Sequence, residues 1–337
     1  MRRTLLEHLA DGRYHDGDDL CRALQITPRV LWQTLNSLSA IGIVFEAAPA
    51  RGYCLSEPVE LLDRARILGT MEAAAVPPPA GLEILDEIDS TNRYLLEKVR
   101  AGLPAGHACL AECQTAGRGR RGRAWASPYG RNVYLSLSWE FHGDARMLSG
   151  LGVAYAVAVC RALKAAGLTG IGLKWPNDIL WQGCKLGGVL LEVADAKARP
   201  CRGVAGVGLN VSLPASAAQS IDQPWTDLRT ALAANGGGKC ALGGEVSRNQ
   251  FASSLLAHLL AAMTEFQAVG LASFIEEWRQ CDIMPGKTAV LRWPNGHVTG
   301  VVEGIDAHGE LILSVDGEVQ KYCYGEVSLR SAPRAGL

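Results

Sequence analysis

The sequence predicts a multidomain α+β protein in three parts, and three observations predict it. The first 60 residues carry short amphipathic helices followed by a hairpin pattern. The middle of the chain alternates strand and helix patterns, as an α/β unit with one large sheet requires. From Pro285 onward only strands and turn signals remain, the pattern of a small barrel of about 50 residues. With 337 residues, 48% of them hydrophobic, each part can bury a core.

At the front, Leu5, Leu6 and Leu9 recur at helical spacing and stop before Asp11-Gly12. "GDDLCRALQ" predicts a second helix that breaks at Thr27-Pro28. Thr27 suits the N-cap of a third helix, with Pro28 at its first position. Val30, Leu31, Leu35 and Leu38 mark that helix's apolar face, and Gly42 ends it. A hairpin over 43–46 and 52–55 follows. Helix, helix, wing is the sequence shape of a winged helix-turn-helix, here residues 1–62. Arg29 and Gln33 on the third helix and Arg51 in the wing are the candidate DNA contacts. Yet residues 1–60 hold six Arg against eight Asp or Glu, a poor electrostatic footprint. A module that only mediates protein contacts stays open. The net charge of −1 excludes a strongly electropositive body.

Residues 63–81 read as a linker, a helix followed by the break at Pro77–Pro79. Residues 82–283 form the central part. "CLAECQTA", "NVYLSLSWEF", "IGLKW", "DILWQGCKLGGVLLEVA" and "CRGVAGVGLNVSL" predict strands, with a hairpin turn near Gly183. "MLSGLGVAYAVAVCRALKAAG" predicts a long apolar helix ended by Gly167, and two more helices close the part. In residues 284–337, "KTAVLRW", "HVTGVVEGID", "ELILSV" and "VQKYCYGEVSL" predict four strands.

Ten cysteines lie scattered, without a CxxC pair or a His/Cys cluster at zinc spacing. That usage predicts reduced thiols and a cytoplasmic protein. The first residues become charged too soon for a signal peptide, and no uncharged apolar run reaches about 18 residues, so no membrane partner is expected.

The chemistry concentrates in a few stretches. "GRGRRGR", residues 117–123, has the G-x-G-x-x-G spacing of a dinucleotide turn, but Pro128 and Gly130 follow where that motif needs a helix. The remaining readings are a solvated basic loop or a phosphate-binding lid that orders over a polyanion. Its glycines allow close backbone approach, its arginines give forked bonds to phosphate, and Trp125 is placed to cover the site. "KWPND" sets Lys174, Asn177 and Asp178 in one turn, suited to phosphate or a metal-bound water, or equally to a self-bonded strand end. "CKLGGVLLE" opens an apolar strand with Lys185, and the interior Gly187 and Gly188 suit a ligand lying on the backbone. "GVGLNV" has the same character and ends in Asn210. "DSTN" serves as a helix N-cap or offers Ser90 and Thr91 to a polar ligand.

Together "DSTN", "AECQTAGRGRRGRAW", "SPYGRNVYLSLSW", "KWPNDI", "CKLGGVLLE" and "GVGLNV" resemble, in order and spacing, the biotin–protein ligases. With a winged helix in front and a small barrel behind, the chain resembles the bifunctional ligase and biotin-operon repressor type over nearly its whole length. The resemblance implies a central ligase domain with one large mixed sheet and an SH3-like C-terminal barrel. It implies that biotin attacks the α-phosphate of ATP, giving biotinyl-5′-AMP, and that a lysine of a biotin carboxyl carrier protein then takes the biotin. Biotin would lie against Ser90, Thr91, Asn92, Gln114, Gly117, Arg118, Gly119, Arg120, Lys185, Gly187 and Gly188. Nucleotide would meet Arg118, Arg120, Arg121, Trp125, Lys174, Asn177, Asp178, Asn210 and Trp225. Lys185, Arg118 and Arg120 would carry catalysis, with Asp178 at a magnesium ion. The adenylate would also act as corepressor, favouring a homodimer on operator DNA.

Three other readings compete. A lipoate or octanoyl ligase resembles the same central fold but lacks the arginine–glycine loop. A biotin ligase whose winged helix no longer binds DNA fits the acidic front. A biotin-sensing transcription factor without catalysis conflicts with the intact loop and Lys185.

Overall fold

The computed structural model describes residues 1–141, 147–195, 200–219, 221–235, 246–323 and 328–331. The chain begins with α1 (Arg2–Leu9), α2 (Gly17–Leu24) and α3 (Pro28–Ala40), then the antiparallel hairpin β1 (Phe45–Ala48) and β2 (Gly52–Leu55). Asp16 caps α2 by accepting from the N–H groups of Asp18 and Asp19, and Thr27 caps α3 by accepting from Val30. Leu5, Leu6, Leu9, Leu31, Leu35 and Leu38 are buried together, as their spacing predicts. The hairpin starts two residues later than expected, at Phe45. Ile43 is instead spent on the helix end, where its N–H bonds back to Leu38 O at 3.0 Å.

The central part runs α4 (Arg64–Ala73), β3 (Gly81–Ile88), α5 (Thr91–Arg100), β4 (His107–Gln114), β5 (Val133–Phe141) and α6 (Met147–Ala165). It continues with β6 (Ile171–Lys174), β7 (Asp178–Trp181), β8 (Cys184–Asp195), β9 (Cys201–Leu209), α7 (Leu228–Ala234), α8 (Arg248–Val269) and α9 (Ala272–Cys281). Seven strands form one sheet in the order β3-β4-β5-β9-β8-β7-β6. Only β3 and β4 pair in parallel, so the sheet is mixed. Strand β3 and helix α7 were not anticipated. The turn at Gln182-Gly183 has positive φ at both residues, 48° and 80°, as a tight two-residue hairpin requires. Helices α6 and α8 cover one face and close the main core. Helix α5 crosses β5, β8 and β9 on the other face, leaving part of that face uncovered.

The tail is a five-stranded antiparallel sheet of β10 (Thr288–Trp293), β11 (Gly296–Ile305), β12 (Leu311–Val315), β13 (Glu318–Tyr322) and β14 (Ser328–Ser331). Its order is β13-β12-β11-β10-β14. The predicted last strand is therefore two. β13 pairs with β12 and β14 with β10, at opposite edges of the sheet.

Buried polar groups tie the parts together. Glu112 on β4 is fully buried and accepts from Leu62 N at 2.5 Å and Arg248 Nη2 at 2.9 Å. Arg248 also donates to Asn132 O at 3.0 Å. Tyr129 of the central part packs among the leucines of α1 and α3, with Val59 and Leu61, and donates to the Asp86 carboxylate. Trp175 Nε1 donates to Gly309 O at 3.1 Å, fixing the tail to the central sheet.

Candidate functional site

A cavity of about 260 Å³ opens beside α5, on the sheet face that this helix leaves uncovered. Its floor is made by the strand register. Gly188 on β8 stands opposite Gly208 on β9, and Leu190 opposite Gly206. Side chains alternate across a strand, so the glycines leave a bare stretch of backbone on the α5 face. A register shift between Ile179 and Leu180 puts Gly187 opposite Ile179 and Lys185 opposite Leu180. That irregularity resets the alternation, so Lys185 and Gly188 both reach the cavity.

Ser90 begins α5 as its N-cap, as one reading of "DSTN" expected, and it also lines the cavity. Thr91 and Asn92 line the cavity in the first turn and are almost fully buried. Gln114, at the end of β4, accepts from Thr91 N at 3.0 Å through Oε1 and donates to Ser127 Oγ at 3.2 Å.

The glycine–arginine stretch folds across this wall. Arg118 and Ala124 pair as an isolated bridge, Gly119 N donates to Arg123 O at 2.7 Å, and residues 120–122 make one tight turn. No helix follows, which agrees with rejecting a dinucleotide turn. Arg118, Gly119 and Arg120 line the cavity, and Arg120 is buried. Arg121 does not line it: its φ of 59° lies in the left-handed region, and the side chain is exposed. Arg123 takes the place expected of Arg121. Gly117 sits behind the wall, where an added Cβ would lie 2.6 Å from Ser127 Oγ and 3.1 Å from Gln114 Nε2.

Trp125 lies against the glycine floor of the cavity. A Cβ on Gly208 would stand 2.7 Å from its indole nitrogen, so the ring rests on bare backbone. Its buried Nε1 has no hydrogen-bond partner among the described residues. Lys185 Nζ lies 5.6 Å from the Trp125 ring centroid and donates to the Asp178 carboxylate. Asp178 itself stands just outside the cavity wall, joined to it through Lys185.

The remaining expected residues divide. Asn177 and Asn210 line the cavity, but their amides also hold backbone. Asn177 Nδ2 donates to Val189 O at 2.9 Å, and Asn210 Nδ2 to Thr226 O at 3.1 Å. The latter bond clamps the segment carrying Trp225 beside Lys185, whose N–H donates to Pro224 O at 2.8 Å. Trp225 therefore lines the cavity. Lys174, at the end of β6, lies outside the wall. Gly187 faces away from the cavity, against the Leu209 side chain, so only Gly188 makes room for a ligand. Asp222, Gln223 and Tyr134 line the cavity and were not anticipated. Glycine parity along β9, at 206 and 208, was the available signal for the floor.

Of Cys109, Cys113 and Cys184, the thiols near the site in sequence, burial pushes the pKa of Cys109 up to about 12 and that of Cys113 up to about 11. Both are therefore poor nucleophiles. Arg29, Gln33 and Arg51 are exposed, far in sequence from this cavity, and the Arg51 guanidinium stacks 4.0 Å from the Tyr14 ring centroid.

The chain is similar to known proteins in sequence and in fold. Residues 84–210 match the model of the biotin/lipoate A/B protein ligase family, and residues 288–330 match the biotin protein ligase C-terminal domain. The chain is 33% identical over 330 residues to the bifunctional ligase/repressor BirA of Escherichia coli, covering 98% of this chain and 97% of that protein. It is 32% identical over 255 residues to a biotin–[acetyl-CoA-carboxylase] ligase of Mycobacterium tuberculosis, covering 73% of this chain and 88% of that one. Among solved structures, the biotin protein ligase of Aquifex aeolicus in complex with biotin and ATP superposes with a TM-score of 0.61. It is 25% identical, and the match covers 75% of this chain and all of that one.

Proposed function

This chain belongs to the biotin/lipoate A/B protein ligase family, and we propose that it is an ATP-dependent biotin–protein ligase that also represses transcription in response to biotin. One observation carries the ligase reading. A single cavity unites a neutral hydrogen-bonding wall, a glycine floor on which Trp125 rests, and four cations, Lys185, Arg118, Arg120 and Arg123. Biotin needs that combination, because it has a neutral ureido head, an apolar ring and an anionic tail.

Ser90, Thr91 and Gln114 meet the ureido head, and Gly188 leaves space for the ring. In the first step a biotin carboxylate oxygen attacks the α-phosphorus of ATP and pyrophosphate leaves. Two anions must meet, and Lys185 with Arg118 and Arg120 offsets their repulsion and stabilises the charge on the reacting phosphoryl group. Arg123 and Trp225 extend the site toward the nucleotide, with Asn210 holding Trp225 in place. In the second step the neutral amine of an acceptor lysine attacks the mixed anhydride. AMP leaves and an amide forms on a biotin carboxyl carrier protein. The folded arginine loop keeps water from the anhydride before that partner arrives.

Magnesium fits the carboxylate chemistry present, because it is commonly held by one or two carboxylates plus substrate phosphates. Asp178 would hold it, and the ion would supply further neutralisation of the phosphates.

For repression, the exposed Arg29 and Gln33 on α3 and Arg51 in the β1–β2 turn form the DNA-facing surface of a winged helix. Biotinyl-5′-AMP would act as corepressor by favouring a homodimer that spans two half-sites.

The ligase reading is tested with purified protein, biotin, ATP, magnesium and an apo carrier domain. Pyrophosphate release and streptavidin-detectable carrier are expected, and absence of both sinks it. The repressor reading is tested by binding to the biotin operator at several salt concentrations, with and without biotin plus ATP. Binding that ignores the adenylate, or its absence at every salt concentration, rejects repression.

A further inference from the structure

The polar wall of the cavity continues behind its lining residues. Ser136, on β5, is fully buried and does not line the cavity. Its Oγ lies 2.7 Å from Thr91 Oγ1 and 2.7 Å from Asn92 Oδ1. The Asn92 side chain lies over Gly206, where a Cβ would come within 2.2 Å of Oδ1. The Asn92 amide nitrogen donates to Leu190 O at 3.1 Å and to Glu192 Oε2 at 2.9 Å. The other oxygen of Glu192 meets Arg118 Nη2 at 3.4 Å.

Counting protons gives this chain of bonds a direction. A carbonyl and a carboxylate only accept, so the nitrogen of Asn92 must face Leu190 and Glu192, and Oδ1 must face Ser136. Oδ1 has no proton to give. Ser136 has one, and spends it on Oδ1. At the 2.7 Å contact with Ser136, Thr91 must therefore be the donor. Gln114 does not compete well for that proton. Ser127 donates to Trp125 O at 3.0 Å and accepts from Gln114 Nε2 at 3.2 Å, which orients that amide. Gln114 Oε1 then already accepts from Thr91 N at 3.0 Å, and lies farther from the Thr91 hydroxyl, at 3.2 Å. With its proton committed, the Thr91 hydroxyl offers the cavity only lone pairs.

We propose that Ser136 and Glu192, neither of which lines the cavity, are positioning residues that set ligand specificity by making Thr91 a hydrogen-bond acceptor. This rests on the reading that the cavity takes a cyclic urea, and it assigns a ureido N–H to Thr91. A relay of fixed polarity rejects a ligand that presents an acceptor there, because two lone pairs then face each other. Glu192 joins this relay to the arginine loop, since one carboxylate serves both Asn92 and Arg118.

The test compares biotin with its cyclic carbamate analogue, in which a ureido N–H is replaced by oxygen without added bulk. Affinities are measured by calorimetry for the wild type, Ser136→Ala and Glu192→Gln. The wild type should prefer biotin over the analogue lacking the N–H that faces Thr91 by about a hundredfold. In Ser136→Ala the Thr91 hydroxyl is free to turn and donate, so that preference should fall about tenfold. The analogue's own affinity should hold or rise. Glu192→Gln should reduce the preference in the same direction, and Ser136→Thr, which keeps the hydroxyl, should restore it. Equal weakening of both ligands in Ser136→Ala would mean a structural role only and overturns the proposal, as does an unchanged preference. A wild type that binds neither ligand overturns the functional reading itself, and this inference with it.

Discussion

Lys185 donates to the carboxylate of Asp178 across the β7–β8 hairpin, so the cavity's central cation is held in place by an acid standing just behind the wall. Both side chains are largely buried, 12% and 17% exposed. In Lys185→Ala, single-turnover pyrophosphate release should fall at least about a hundredfold, the loss expected when one preorganised cation facing a reacting oxyanion is removed. Asp178→Asn should fall less, because the cation remains while its aim and the carboxylate that would hold magnesium are lost. A drop of under about tenfold in Lys185→Ala would falsify its catalytic role.

Arg120 is buried in the loop turn while its neighbour Arg121 points outward. Arg120→Gly should therefore loosen the loop and raise adenylate release. Arg121→Gly should have little effect. The measurement is dissociation of radiolabelled biotinyl-5′-AMP, with biotinylation of a bystander protein as a second readout. Unchanged retention in Arg120→Gly sinks the idea of a loop that shields the anhydride.

Glu112 and Arg248 form an ion pair with side chains 0% and 5% exposed. Removing Glu112 strands the Arg248 charge, and removing Arg248 leaves Glu112 only the more distant Arg3 Nη1, 3.6 Å away. Arg248→Met should cost about 3–5 kcal/mol in urea unfolding, and Glu112→Gln a comparable amount. The double variant should cost less than the sum, since neither charge is then stranded. Additive losses would show that the two residues act separately.

Glu83 accepts from Lys98 Nζ at 2.8 Å and from Tyr94 OH at 2.8 Å. Burial pushes its pKa up, but the Lys98 and Tyr94 bonds outweigh that and hold it below the ordinary carboxylate value. A lowered folded-state pKa contributes stability above the unfolded value, lost as pH falls through the folded one. Glu83→Gln should therefore unfold more easily than wild type at pH 7. The gap should close on acidification to about pH 3. The pair is 38% exposed on both sides, so the gap should stay under about 1 kcal/mol. A gap that widens in acid contradicts the assignment.

The glycine–arginine loop, the "KLGG" strand and "DSTN" were legible because each combines a chemical type with a backbone demand at short range. Thr27-Pro28 and Gln182-Gly183 were legible for the same reason. What the sequence left out depends on register. β3 buries few of its side chains, so its alternation is faint, and only parallel pairing with β4 reveals it. Gly187 and Gly188 look alike in sequence, yet as neighbours on a strand they face opposite sides, and only the shift in β7–β8 pairing puts Lys185 on the same side as Gly188. Arg121 and Arg123 exchange expected places because of a single left-handed residue. Ser136 and Glu192 gave no signal at all. Their importance arises only when three strands bring them beneath Asn92.

Tyr129 stands more than ninety residues beyond the leucines of α1 and α3 among which it is buried. The front helices thus borrow an aromatic ring from the segment that leaves the arginine loop. A fragment ending near residue 62 would lack that ring and expose a hole in its interior, however natural the boundary looks in sequence. The front and central parts should therefore melt in one transition. A protease that finds the linker in the native protein should release no folded fragment.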